Sequence, residues 1–139
     1  MDLDDKEVDV VSALATVHHG LLRTAADTPR SEAGRATLAE RVRAHLRAED
    51  VLYSALHSEL PGRVDLFVSA ARGRALAHDG ERLTRAPSPA TDEALRAWLG
   101  RHVAWCEDDF ARVLLADCTF TELLSLNQRL QTAMAGMHV

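Results

Sequence analysis

Apolar residues recur at helical spacing along most of this chain, and that periodicity constrains its fold more than any other feature. Proline, glycine and polar residues interrupt it at 27–29, 61–62 and 86–89, and more softly near 117–118. The interruptions predict helices over 5–26, 32–59, 63–85, 92–116 and 120–135. Because long helices with short connections pack antiparallel, the sequence predicts an all-α, up-down-up-down four-helix bundle with a short C-terminal fifth helix.

Two helix starts carry recognisable capping residues. Thr91 is predicted to be the N-cap of the fourth helix. Thr119 and Glu122 have the spacing of a capping box for the fifth helix.

Composition narrows the class of protein. The 139 residues suit one domain spanning 1–139, and the formal charge of -5 is spread among interleaved arginines and acids. No basic stripe offers itself to phosphate, so we expect no nucleic-acid partner. No apolar run approaches the roughly 20 residues that cross a bilayer, and the acidic start does not resemble a signal peptide, so we expect no membrane partner. With only two cysteines, we expect a reduced, cytoplasmic protein.

The histidines of the first two helices fall on apolar faces. His18 lies within the apolar stripe of the first helix, whereas His19 is turned about 100° towards its edge. In the second helix, His45 and Glu49 lie one turn apart inside the stripe, and Tyr53 follows at its margin. The remaining histidines of this part of the chain and of the C-terminus, His57 and His138, are expected at the surface.

The third and fourth helices each add one histidine. His78 shares a helix face with apolar residues that we expect to be buried, namely Val64, Phe67, Ala71 and Ala75. In the fourth helix His102 lies in the stripe, Cys106 is central and Glu107 is at the rim. Trp98 and Trp105 are expected to pack against the fifth helix or a partner chain.

A carboxylate on a buried face is costly unless it is paired or bound to a metal. The simpler explanation for His45 with Glu49 is a buried hydrogen-bonded pair. Since four separate helices each place one histidine on an apolar face, convergence of imidazoles and a carboxylate on a metal ion is the more economical interpretation.

The segment from His45 to Tyr53, with glutamate four residues after histidine, resembles the His-x-x-x-Glu segment of hemerythrin-like (HHE) domains. His18, His78 and the His102…Glu107 pair follow the order of that family over about residues 10–115. The resemblance implies two non-haem irons joined by an oxo or hydroxo bridge. It further implies that Glu49 and Glu107 bridge them and that His18, His45, His78 and His102 are terminal ligands.

The chain departs from oxygen-carrying hemerythrins in three respects. Arg74 and Arg82 occupy the positions one turn from His78, where a carrier has a second histidine. Glu107 replaces the aspartate typical of carriers, and Cys106 is a competing ligand beside it. Tyr53 or a water molecule would then complete the iron that lacks a histidine.

Such a centre suggests binding of, or reaction with, a small diatomic or peroxide ligand: dioxygen, hydrogen peroxide or nitric oxide. The missing histidine favours redox chemistry, with catalase-like removal of peroxide in oxidative stress as one form, over reversible carriage. Two alternatives remain open. One is an iron-dependent sensor or adaptor without turnover, and the other is a metal-free bundle that acts through a protein partner the sequence does not specify.

Overall fold

The computed structural model of the protein describes residues 8–136, and they form an all-α bundle without strands. The helices are α1 (Val10–Asp27), α2 (Glu32–Glu59), α3 (Val64–Thr84), α4 (Pro89–Trp105), α5 (Ala111–Asp117) and α6 (Phe120–Gly136). The predicted bundle with an additional C-terminal helix is confirmed. None of these helices combines the length and the apolar character needed to cross a bilayer.

The predicted capping box of the last helix is present. The backbone N–H of Thr119 donates to Glu122 Oε1 at 2.8 Å, and the N–H of Glu122 donates to Thr119 Oγ1 at 3.2 Å. For α4 the predicted N-cap was wrong by one turn. Ser88 caps the helix, Pro89 occupies its first turn, and Thr91 closes a reciprocal box with Ser88. Proline fits there because the first helical N–H groups have no helical acceptor.

Helices α4 and α5 are joined by a π-helical turn, Cys106–Phe110. The N–H of Ala111 donates to the carbonyl of Cys106, five residues earlier. This turn takes up one more residue than an α-helical turn, so every later side chain is rotated relative to the face of α4. Consequently Leu114 is buried in α5, and Val113, which continues the α4 stripe at regular spacing, is only half-buried.

Helix α3 packs through its small residues. A methyl group on Gly73 would lie 2.6–2.8 Å from the ring and hydroxyl of Tyr53, and one on Gly80 would lie 2.4–2.6 Å from the ring of Trp98. Val64 and Phe67, in contrast, are 72% and 57% exposed. The buried face predicted for this helix was therefore wrong. The helix approaches α2 and α4 closely where it has no side chain, and its larger apolar residues face outward.

Helix α6 lies against α1 and α2 and completes one half of the core. Leu123, Leu126 and Leu130 pack with Leu14 of α1 and Leu52 of α2. A second apolar cluster fills the other half between α1, α2 and α4; its buried members are Leu21, Ala25, Leu38, Ala39, Val42, Leu46, Leu95, Trp98, Leu99 and Val103.

Candidate metal centre

Four polar side chains meet in the interior of the bundle. His18 comes from α1, His45 and Glu49 from α2, and His102 from α4. His18, Glu49 and His102 are 0% exposed, and His45 is 9% exposed. The i, i+4 spacing of His45 and Glu49 aims both side chains at the same point, while the apolar faces of α1 and α4 bring the other two rings to it.

The donor atoms lie at distances suited to a shared metal ion. His18 Nε2 is 3.1 Å from Glu49 Oε1, and Glu49 Oε2 is 3.0 Å from His45 Nε2 and 2.8 Å from His102 Nε2. The Nε2 atoms of His18 and His45 are 3.1 Å apart. Two ligand atoms each about 2.1 Å from one ion, at about 90–110°, lie about 3.0–3.4 Å apart. All four side chains offer a donor atom within 4.8 Å of the others, so together they could hold a metal ion.

Electrostatics favour the ionised carboxylate at this point. Burial by itself would raise the pKa of Glu49, but electrostatic interaction with His45 and His102 and hydrogen bonds from His102 and His18 hold that pKa well below its usual range. Burial lowers the pKa of His18, opposed by its interaction with Glu49. A neutral imidazole beside an ionised carboxylate is the protonation state in which both groups bind a cation.

Packing fixes the orientation of the His102 ring. The indole of Trp98 stacks on His102 with ring centroids 4.8 Å apart and planes inclined by 14°. The Trp98 N–H in turn donates to the Leu76 carbonyl of α3 at 2.9 Å. The Nδ1 atoms of His18 and His102 are buried and have no hydrogen-bond partner among the described residues. In many metal sites a hydrogen bond from the second ring nitrogen orients the histidine. Here stacking on Trp98 orients His102 instead.

Trp98 is the supporting residue that the sequence analysis missed. It was expected to contact the fifth helix or a partner chain, but it lies between α3 and His102. The spacing of four residues between Trp98 and His102 places them on one face of α4, and that spacing was the signal available in the sequence.

Tyr53 lies next to this cluster. Its side chain is 1% exposed, and its hydroxyl has no hydrogen-bond partner among the described residues. Burial, followed by the nearby charge of Glu49, raises the pKa of Tyr53 well above its usual value. A buried hydroxyl without a partner is costly, so this oxygen, which lies against Gly73 of α3, has an unused bonding position one helical turn from Glu49.

Glu107 is not brought into the cluster. Its carboxylate lies at the surface, 2.8 Å from Nε2 of His19, and the two side chains are 40% and 65% exposed. His19 is therefore the outward-facing member of the His18–His19 pair. Cys106 is buried, and its pKa is raised by burial first and then by the charges of Glu49 and Glu107. Cys106 is not among the side chains whose donor atoms converge in the cluster.

His78 lies on the exposed face of α3, so its predicted position on the buried face was wrong. The buried face of that helix runs through Ala70, Gly73 and Gly80 instead. Among the described residues α3 contributes no side chain to the cluster, which draws on α1, α2 and α4 alone. His57 is exposed as predicted, and His138 lies outside the described residues.

The centre is therefore a buried set of three histidines and one glutamate that can hold a metal ion, with a partnerless tyrosine beside it. Comparison of the chain with models of known protein families, with curated proteins and with solved structures found no match.

Proposed function

We propose that the chain is a non-haem iron protein of the hemerythrin-like kind that binds or reacts with small oxidants. The observation that carries the proposal is the convergence of three Nε2 atoms and one buried carboxylate at metal-ligand spacing. An ion at this point would neutralise the buried carboxylate and occupy nitrogen atoms that otherwise compete for it.

The donor set favours iron. Imidazole and carboxylate ligands suit iron, and structural zinc sites are usually built with thiolates. Neither cysteine is in the cluster. Four side-chain ligands leave about two positions of an octahedral ion for water or an oxidant.

The resemblance implies two irons, and the surroundings of Glu49 offer oxygen ligands for the second. Glu49 Oε1 contacts His18 while Oε2 contacts His45 and His102, so the two oxygens face different donors. The free Tyr53 hydroxyl lies on the same side of α2, one turn further along the helix. Glu107 would reach this second position only after leaving His19. We therefore expect the second iron to be held more weakly than the first.

Bound iron would supply the redox change and the open coordination positions. The protein holds the donors in place and keeps bulk water away through the apolar clusters above and below the site. This division of labour fits peroxide removal, oxygen binding or nitric oxide binding.

An iron-dependent sensor or adaptor is the second candidate. The observation that favours it is the exposed apolar face of α3, where Val64, Phe67 and Val68 are 72%, 57% and 43% exposed. Apolar patches of this kind often mark binding surfaces. Trp98 is buried and contributes nothing to such a surface.

Metal analysis with absorption spectroscopy tests the main proposal. Protein loaded anaerobically with ferrous iron and desalted should retain one or two irons per chain. After exposure to air it should absorb in the near-ultraviolet, and peroxide should change that spectrum. His102→Ala should lose the iron, whereas His78→Ala, a histidine outside the cluster, should keep it.

Three outcomes would contradict the proposal: no retained iron, retention of zinc in preference to iron, or equal loss in the two variants. Oxygen evolution from added peroxide separates the two candidates. Rapid evolution supports an enzyme, and a spectral change without turnover supports a sensor.

A further inference from the structure

A groove of about 480 Å³ lies between α1 and α2. Met134, near the end of α6, lines one part of it, so the groove continues along the bundle from the region that α6 covers. Thr24 of α1 and Thr37, Glu40 and Arg41 of α2 line the rest of it, together with apolar side chains and His45.

His45 connects this groove to the cluster. It is the one cluster residue that retains solvent exposure, at 9%, while the other three are fully buried. Its Nε2 atom contacts both Glu49 and His18. A solute that enters the groove therefore meets His45 before the other cluster residues. A metal ion or oxidant that reaches His45 from the groove has thereby reached the cluster.

The chemistry of the groove suits polar, hydrated solutes. Glu40 and Arg41 are exposed and form no ion pair within residues 8–136, so both charges are available at its rim. A second cavity, of about 160 Å³, touches His18; Glu107 lines it, and its other walls are mainly apolar side chains such as Val11, Leu14 and Leu114. This smaller cavity leaves less room than the groove for an ion that keeps its water shell.

We propose that the groove between α1 and α2 is the entry path by which hydrated metal ions and small polar oxidants of the peroxide class reach the cluster through His45. This proposal rests on the metal centre proposed above. The apolar cavity at His18 is the rival route.

Matched plugging variants distinguish the two routes. Ala44→Phe places a ring in the groove, and Ala15→Phe makes the same change in the cavity at His18; both alanines are half-buried. The readout is stopped-flow uptake of Co²⁺ by metal-free protein, followed through the visible absorption of the bound ion. Ala44→Phe should slow both uptake and release by about tenfold with nearly unchanged affinity, and Ala15→Phe should leave both rates near those of the wild type.

Charge variants at the rim give a test that needs no repacking. Because Glu40 attracts cations and Arg41 repels them, Glu40→Gln should slow Co²⁺ uptake and Arg41→Gln should speed it, each by about two- to threefold at low ionic strength. The difference should vanish in concentrated salt. Asp65→Asn, on the distant α3, is the matched control and should have no effect.

Chemical modification tests the same path without metal. Diethylpyrocarbonate should modify His45 in the metal-free protein before His18 and His102, as located by mass spectrometry, and Ala44→Phe should protect it.

The groove is not the path if Ala44→Phe takes up Co²⁺ at the wild-type rate, if Ala15→Phe is slowed as much or more, or if His18 is modified first. Wild-type protein that binds no Co²⁺ or iron at equilibrium would instead remove the metal centre itself, and the entry path with it.

Discussion

Gly80→Ala perturbs the metal centre through packing alone. The added methyl group would lie 2.4–2.6 Å from three ring atoms of Trp98. That indole is 3% exposed, donates to the Leu76 carbonyl and stacks on His102, so it cannot move aside freely. Relief of the clash must shift either α3 or the indole and the imidazole beneath it.

The magnitude follows from two opposing terms. Overpacking of a buried site costs about 1–3 kcal/mol, and replacement of glycine by alanine within a helix returns about 0.5–1 kcal/mol. The net loss in the free energy of unfolding is then about 0–2.5 kcal/mol, with a midpoint of about 1.3 kcal/mol. For 139 residues the entropy of unfolding is about 0.3 kcal/mol/K, so the melting temperature should fall by about 4 °C at that midpoint and by about 8 °C at most.

Thermal unfolding of metal-free protein, followed by circular dichroism, is the assay, and Gly100→Ala is the matched control. Gly100 lies in α4 on the exposed side, and a methyl group there would meet nothing within 4 Å. This variant should gain up to about 1 kcal/mol and melt up to about 3 °C higher than the wild type. Gly80→Ala should also bind Co²⁺ more weakly because His102 is displaced, whereas Gly100→Ala should bind it normally.

A melting temperature of Gly80→Ala at or above that of Gly100→Ala would contradict this prediction. Such a result would mean that α3 does not approach Trp98 as closely as described. Weakened Co²⁺ binding without any loss of stability would place the strain on His102 alone.

Three further predictions concern the cluster and the ends of the bundle. A metal ion at about 100 times its dissociation constant should stabilise the protein by about 2.7 kcal/mol, and a chelator should reverse this stabilisation. In thermal melts, His45→Ala should abolish the dependence of the melting temperature on metal, whereas His57→Ala should preserve it. Equal effects of the two variants would contradict the assigned helix faces. Tyr53→Phe should stabilise metal-free protein, because it removes a buried hydroxyl without a partner, but should weaken iron binding and abolish any visible phenolate–iron band; an unchanged spectrum would exclude Tyr53 as a ligand. Hydrogen bonds from Arg63 and from the backbone of Thr119 lower the pKa of Glu122 to about 2. The ionised side chain therefore contributes fully to stability above its unfolded-state pKa of about 4.3, and this contribution is lost as the pH falls towards about 2. Between these two pH values the melting temperature of Glu122→Gln should fall less than that of the wild type.

Helix periodicity was sufficient to predict the fold and the inward position of the four side chains of the cluster. In α1 and α2 the buried faces consist of large apolar residues at regular spacing, so the directions of His18, His45 and Glu49 could be read from the sequence. His102 followed in the same way, because it precedes the π-helical turn.

The failures have two physical causes. In α3 the closest packing occurs at Gly73 and Gly80, which add little to any hydrophobic pattern, while Val64 and Phe67 are exposed and dominate it. A periodicity argument then selects the wrong face and brings His78 inward. A close helix approach at a glycine can be recognised only when the position of the neighbouring aromatic ring is known.

Beyond Trp105, regular spacing no longer gives the direction of a side chain. Glu107 lies within the π-helical turn, and none of the residue types in the segment 106–110 predicts an irregular turn. The sequence placed Glu107 at the rim, and the structure pairs it with His19 on the outside. The identity of the metal and the number of ions depend on chemistry that neither helix spacing nor packing specifies.

The π-helical turn also changes the rotational position of α5 relative to α4. Helix α4 directs His102 at the cluster, and α5 buries Leu114 in the apolar core that α6 completes. A strictly α-helical rod could meet both demands only with a different sequence spacing. Deletion of one residue from this turn would rotate α5 by about 100° and turn Leu114 away from the core, while His102 kept its direction. Insertions or deletions in this turn would therefore change how α5 packs at the end of the bundle and would leave the direction of His102 unchanged.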